Sequence, residues 1–165
     1  MSTWRPWTTF ALSLFGIGVS IYLTLIHFEG VRLLVCPGDV GGTHGVIDCT
    51  AVLTSSQSTL FGIFPVAVVG LGYFVVMSAI NNPWAWRSTS LYIAWARLIL
   101  VIGGMGMVLY LISVELLQVH SICIWCTSIH AVTFLLFILT ITGWEDTGWA
   151  ISSYNDAVLD EPAYD

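Results

Sequence analysis

Four cysteines, in two pairs of unlike spacing, carry the most reactive chemistry of the chain. Cys123 and Cys126 lie three residues apart in the segment HSICIWCTSIH, whereas Cys36 and Cys49 flank a longer stretch. Residues three apart on a helix share a face, so the first pair can reach the Cα separation of about 5.5 Å that a disulfide needs. Backbone N–H groups at a helix start lower the pKa of a nearby thiol. We therefore expect Cys123, on a helix capped by Ser121, to be the accessible, attackable thiol, with Cys126 about one turn deeper.

The second pair combines a mobile residue with a fixed one. Cys36 precedes the glycine-rich stretch PGDVGGTHG, which predicts a flexible arm, whereas Asp48 is a suitable N-cap for a short helix that begins at Cys49. Thiol–disulfide exchange passes electrons through mixed disulfides. The two pairs therefore predict a relay in which electrons enter at the loop pair, pass from Cys49 to Cys123, and leave from Cys126. A quinone suits the final step, because it dissolves in a bilayer and takes two electrons with two protons.

Two alternatives use the same cysteines. The four sulfurs could bind zinc, although this spacing at a bilayer surface is unusual for a zinc site, and we expect no metal. They could instead form two permanent disulfides in a non-catalytic four-span adaptor. A helical Cys-x-x-Cys bond braces little, because the helix already holds the two residues together, so redox exchange is the preferred interpretation.

The residues around the cysteines have the composition of a membrane protein. Among 165 residues there are four basic side chains, all arginine, and ten acidic ones. A hydrocarbon core of roughly 30 Å needs about 20 apolar helical residues. The sequence therefore predicts an all-α membrane protein, a four-transmembrane-helix bundle with one long extracytoplasmic loop between helices 1 and 2. The predicted domain covers residues 1–143, with spans at about 7–28, 60–80, 91–114 and 122–142 and a catalytic loop at 29–59.

The arginines predict the orientation of the chain in the cell membrane. Arg5, Arg87 and Arg97 belong to one side and Arg32 to the other, so the positive-inside bias makes both termini cytoplasmic. All four cysteines then lie on the extracytoplasmic side, where disulfides persist. The first span lacks a clean cleavage site and is read as retained. Residues 144–165 form an acidic cytoplasmic tail, which argues against nucleic acid as a partner.

Three segments carry a family pattern over about residues 8–143. They are IYLTLIHF at the end of the first span, DCTAVLTSSQSTLFGIFPVAVVGLGYF leading into the second, and CIWC opening the fourth. With them the chain resembles the vitamin K epoxide reductase family, in its prokaryotic, quinone-linked, disulfide-forming branch. The resemblance implies a four-helix bundle around a quinone pocket, with menaquinone, ubiquinone or a similar quinone as acceptor. No fused thioredoxin-like domain follows the fourth span, which implies a separate thioredoxin-like partner, soluble or membrane-anchored.

The resemblance also assigns roles to the cysteines. Cys36 and Cys49 match the family's loop pair, although the interval between them is longer here. Cys123 matches the cysteine that the second loop thiol attacks, and Cys126 matches the one that touches the quinone ring. The function implied is a quinone-dependent thiol–disulfide oxidoreductase; reduction of a quinone epoxide by the same relay is the alternative.

Four further residues are expected at the quinone. Ser55 and Phe61 match a pocket serine and the family's Phe-Gly. Ser58 stands where animal members have an asparagine and His130 where they have a tyrosine, which weakens the case for vitamin K epoxide as substrate. His130 is four residues after Cys126 and shares its face, so it is a candidate hydrogen-bond donor to a quinone carbonyl, or else a packed core histidine.

Overall fold

The computed structural model of the protein describes residues 4–29, 36, 48–55, 58–60, 63–87 and 91–159. Most of the predicted catalytic loop and the last residues of the tail lie outside these ranges. In chain order the elements are α1 (Trp4–Glu29), α2 (Cys49–Thr54), β1 (Thr59–Leu60), β2 (Phe64–Pro65), α3 (Val66–Ile80), α4 (Pro83–Arg87), α5 (Leu91–Val114), a π-helical segment (Glu115–Val119) and α6 (Ile124–Leu159).

Long apolar helices dominate the described part of the chain. By length and composition three helical stretches there can cross a membrane: α1, α5 with its π-helical extension, and Ile124–Trp144 of α6. Helix α3 is a shorter apolar helix of 15 residues. The protein is therefore an all-α membrane protein, and its described β-structure is one small antiparallel hairpin of β1 and β2.

The long helices pack side by side around a shared core. Helix α1 contacts α3 and α6, and α5 contacts both α6 and α3. Large apolar side chains on the outer faces remain exposed, as expected where lipid is the solvent. The core is formed by one cluster of buried side chains: Phe74, Met77, Val101, Val132 and Leu136.

Glycines allow α3 to lie close to its neighbours. Gly16 of α1 faces the ring of Phe74, and a Cβ built at Gly16 would overlap ring atoms of that side chain. Gly104 of α5 faces Tyr73 in the same way. Without a strong hydrophobic drive between helices in lipid, such close backbone approach is a main source of packing energy.

Several helix ends differ from the predicted spans. Helix α3 begins at Val66 rather than near residue 60, because the preceding residues form the hairpin and Pro65 has no N–H for a helix interior. Helix α6 does not stop at residue 142: it continues to Leu159, since no proline interrupts this stretch.

Cationic side chains stabilise the end of the bundle far from the cysteines. The Arg97 guanidinium donates to the carbonyl oxygen of Ile80 over 2.8 Å and lies 3.9 Å from the ring centroid of Trp86. Arg5 donates to the carbonyl oxygen of Thr142 over 2.9 Å. The bond from Arg97 satisfies a carbonyl group that the end of α3 leaves without a helical partner, whereas the bond from Arg5 ties the start of α1 to the middle of α6.

Candidate functional site

The loop pair forms a disulfide whose two halves differ in exposure. Cys36 is joined to Cys49, with Cα atoms 6.1 Å apart. Cys49 opens α2 and is only 1% exposed, whereas Cys36 is partly exposed. Asp48 caps α2, since its Oδ1 accepts the N–H of Ala51 over 2.9 Å. The predicted N-cap is therefore confirmed, and it fixes Cys49 at a helix start.

Cys123 occupies the cap position of α6, and its sulfur lies 3.5 Å from the backbone nitrogen of Cys126. The prediction that Ser121 caps this helix is wrong, because the helix begins at Ile124. Hydrogen bonding by the Cys126 side chain, supported by backbone N–H groups of Cys126 and Trp125, lowers the pKa of the Cys123 thiol despite its burial. The two cysteines are free thiols in this structure.

The accessibility predicted for Cys123 is also wrong: the residue is 0% exposed, whereas Cys126 is partly exposed. Cys123 lies at the start of α6, directly after Ile122, whose carbonyl oxygen is hydrogen-bonded to the segment that leads into α2. A large soluble protein cannot reach a sulfur buried in this way. Any exchange partner for Cys123 must therefore come from within the chain.

A backbone hydrogen bond joins the two cysteine segments. The N–H of Asp48 donates to the carbonyl oxygen of Ile122 over 3.2 Å. Each of these residues immediately precedes a buried cysteine, Cys49 or Cys123. The bond therefore places the second loop cysteine and the first cysteine of the Cys-x-x-Cys at the same end of the bundle, in neighbouring backbone segments.

Two further contacts fix the Cys-x-x-Cys segment. Trp125, between the two cysteines, packs on Tyr22 of α1 with ring centroids 4.9 Å apart. His120 adopts a left-handed conformation with φ 55°, and its Nδ1 lies 2.9 Å from the carbonyl oxygen of Leu116. A left-handed residue ends a helix sharply, so the chain can turn directly from the π-helical segment into α6.

A cavity of about 490 Å³ opens beneath this segment, between α1, α3, α5 and α6. Its lining is mostly apolar. The side chain of Cys126 forms part of the wall, whereas Cys123 does not. Three of the residues expected at a quinone, Ser55, Ser58 and His130, line the same cavity. The remaining one, Phe61, lies outside the described residues.

Comparison with protein-family models matches residues 7–141 to the vitamin K epoxide reductase family. The chain belongs to this family. No curated protein matches it significantly. Membership of the vitamin K epoxide reductase family implies a membrane oxidoreductase that couples thiol–disulfide chemistry to quinones, and the paired loop cysteines together with Cys126 in a cavity wall are consistent with that chemistry.

The cavity lining also includes polar residues that could not be identified from the sequence as part of a vitamin K epoxide reductase site. The hydroxyl oxygens of Ser20 and Tyr73 are buried in the cavity lining and have no hydrogen-bond partner. Glu115, in the first position of the π-helical segment, is a third polar residue of the lining. A lone serine, tyrosine or glutamate in an apolar run gives no sign of the cavity it faces, apart from the rarity of an acid inside a membrane-length stretch.

Metal ligation finds no support in the part of the chain that is described. No group of three or more His, Cys, Asp or Glu side chains there has the geometry to hold a metal ion. Two of the four sulfurs are also committed to the disulfide between Cys36 and Cys49.

Proposed function

We propose that the protein is a quinone-dependent thiol–disulfide oxidoreductase that reoxidises an extracytoplasmic thioredoxin-like partner. One observation carries this proposal: the hydrogen bond from Asp48 to Ile122, which holds the segments of Cys49 and Cys123 together. Because the two segments are neighbours, electrons can pass from the loop pair to the Cys-x-x-Cys without a large movement of either pair.

Exposure gives the direction of the first step. A thiolate of the reduced partner attacks the partly exposed sulfur of Cys36, breaks the Cys36–Cys49 bond and releases Cys49 as a thiolate. The second partner thiol then attacks the mixed disulfide, so that the partner leaves oxidised and the loop pair is reduced. Because Cys49 is buried, a large partner meets Cys36 first.

The second step carries the electron pair inward. The Cys49 thiolate attacks Cys123 in an oxidised Cys123–Cys126 pair, which forms a Cys49–Cys123 bond and releases Cys126 as a thiolate. Attack by Cys36 on Cys49 then restores the loop disulfide and leaves Cys123 and Cys126 reduced. The lowered pKa of Cys123 suits the second of these exchanges, in which Cys36 attacks Cys49 and Cys123 is the leaving group, since a thiol of lower pKa leaves faster.

The cavity supports a quinone as the final acceptor. Its volume of about 490 Å³ falls within the range of roughly 300–1,000 Å³ typical of small-molecule sites, and its walls are mostly apolar. The unpartnered hydroxyls of Ser20 and Tyr73 give such a ligand hydrogen-bond donors inside the membrane. We assign His130, Ser55, Ser58 and Phe61 to the same quinone site, and Cys126 to contact with its ring.

Orientation in the membrane follows from the arginines. Arg5 and Arg97 lie at the end of the bundle opposite the cysteines. The positive-inside bias then supports cytoplasmic termini, a cytoplasmic tail at residues 144–165 and extracytoplasmic cysteines. In this orientation a separate thioredoxin-like protein, soluble or membrane-anchored, meets Cys36 on the extracytoplasmic side, as we propose for the prokaryotic, disulfide-forming branch of the family.

The test supplies reduced thioredoxin-like protein and either a ubiquinone or a menaquinone analogue to the purified protein in detergent. We expect quinone reduction by the wild type and its loss in each single Cys→Ala variant at the four positions. Turnover that survives Cys49→Ala would remove the middle step. A parallel assay with a quinone epoxide distinguishes the alternative acceptor, and a structural adaptor would show no turnover at all, with Cys126→Ala affecting only stability.

A further inference from the structure

A buried carboxyl group faces the same cavity as Cys126. Glu115 is 7% exposed and lines the cavity at the start of the π-helical segment. It is the sole acidic side chain among the described lining residues. Within the described part of the chain its carboxyl group makes no ion pair and no hydrogen bond. Burying an unpartnered carboxyl group lowers stability, so its presence indicates a functional role rather than a structural one.

The surroundings of Glu115 place it beside the reacting sulfurs. Its carboxyl group is close enough to interact electrostatically with both Cys123 and Cys126. The π-helical segment that it opens packs against α2, the helix that begins at Cys49. Single π-helical turns are rare and occur frequently at functional sites. Glu115 therefore shares the cavity wall with Cys126 and lies within electrostatic range of both thiols.

We infer that Glu115 is a proton-transfer residue, which carries protons from the cysteine sulfurs to the quinone oxygens. The inference rests on the proposed function. Each turnover breaks two S–H bonds, forms one S–S bond and two O–H bonds, and moves two electrons from sulfur to the quinone. The carboxylate accepts a proton that leaves sulfur and gives it to a quinone oxygen, so Glu115 ends the turnover unchanged. Since the cavity is apolar, water gives little help with this transfer.

The test compares Glu115→Gln with the wild type as full-length purified protein, with reduced thioredoxin-like protein and a ubiquinone analogue. Glutamine keeps the size of the side chain but cannot carry the proton. We expect kcat to fall about 100-fold, the lower end of what a general acid–base group contributes, with little change in KM for the quinone. Glu115→Asp keeps a carboxyl group and should recover part of kcat. Glu29→Gln, the same change at an exposed position of α1, is the matched control and should leave turnover unaltered.

A second measurement separates proton transfer from folding and from exchange. Without quinone, the rate at which reduced partner converts an oxidised Cys123–Cys126 pair to thiols should be the same in Glu115→Gln and the wild type. The thermal midpoint of unfolding should be unchanged or higher, because an unpartnered buried carboxyl group is gone. Turnover within a few-fold of wild type in Glu115→Gln would overturn the inference, as would an equal loss of the exchange step. A wild type that reduces no quinone would instead overturn the proposed function itself, and the inference with it.

Discussion

The sulfur of Cys123 lies 3.5 Å from the backbone nitrogen of Cys126, in the position that a serine or aspartate oxygen takes at many helix starts. This arrangement gives the first cysteine of the Cys-x-x-Cys the environment of an N-cap. The side chain of Cys126 also acts on Cys123: its hydrogen bond is the main cause of the lowered Cys123 pKa, so the ionisation of one cysteine depends on the other.

The dependence gives a pH test in a background where both loop cysteines are replaced by serine. Cys126→Ser keeps a hydroxyl donor beside the sulfur, whereas Cys126→Ala removes it, and each variant retains Cys123 as its single thiol. Because hydrogen bonding favours the thiolate, we expect Cys123 in the serine variant to ionise at lower pH than in the alanine variant. The ultraviolet absorbance of the thiolate, followed against pH, measures both midpoints without a reagent having to reach the buried sulfur. Equal midpoints would show that the Cys126 side chain does not tune Cys123.

The cap of α2 is expected to govern transfer between the two pairs. Asp48→Ala removes the side-chain oxygen that accepts the Ala51 N–H, which destabilises a helix start by about 1 kcal/mol. That corresponds to about a fivefold smaller ratio of the held to the released conformation, and we expect the formation of the Cys49–Cys123 bond to slow by up to this factor. Exchange reactions with reduced partner, stopped at set times and analysed for the Cys49–Cys123 bond, measure this rate. Asp48→Asn is the control, since asparagine caps equally well and should retain the wild-type rate.

Packing of α1 against α3 gives a stability test that does not involve the cysteines. In Gly16→Ala the new methyl group meets the ring of Phe74 near its attachment, so the ring or the backbone must shift. Overpacking of this kind costs about 1–3 kcal/mol, and the thermal midpoint of the detergent-solubilised protein should fall. In Gly18→Ala the methyl group points into open space, with no described atom within 4 Å apart from its own stretch of helix. A fall of equal size in both variants would contradict the close approach at Gly16.

Local and compositional features of the structure could be predicted from the sequence. The membrane-length helices follow from the thickness of the hydrocarbon core. The cap at Asp48 could be predicted because aspartate is a preferred N-cap residue, whose side chain accepts an N–H two or three positions later. The pairing of Cys36 with Cys49 was implied by the family resemblance and is present as a disulfide. Each of these depends on a short segment or on the family pattern.

Features that depend on helices meeting in space could not be predicted. Cys123 is buried where segments far apart in the chain meet, as the bond between Asp48 and Ile122 shows, and a local pattern does not reveal such a meeting. Helical periodicity alone could not show that Ser20 and Glu115 face one cavity, since they lie on different helical segments.

The account depends most on direct transfer between Cys49 and Cys123. The double variant Cys36→Ala/Cys126→Ala removes the normal disulfide partner of each of these residues and leaves their sulfurs free to join. After mild oxidation and proteolysis, mass spectrometry should find the peptide containing Cys49 disulfide-bonded to the peptide containing Cys123, in monomeric protein and in high yield. Recovery of both cysteines as free thiols, or of linked peptides only between separate molecules, would contradict the relay.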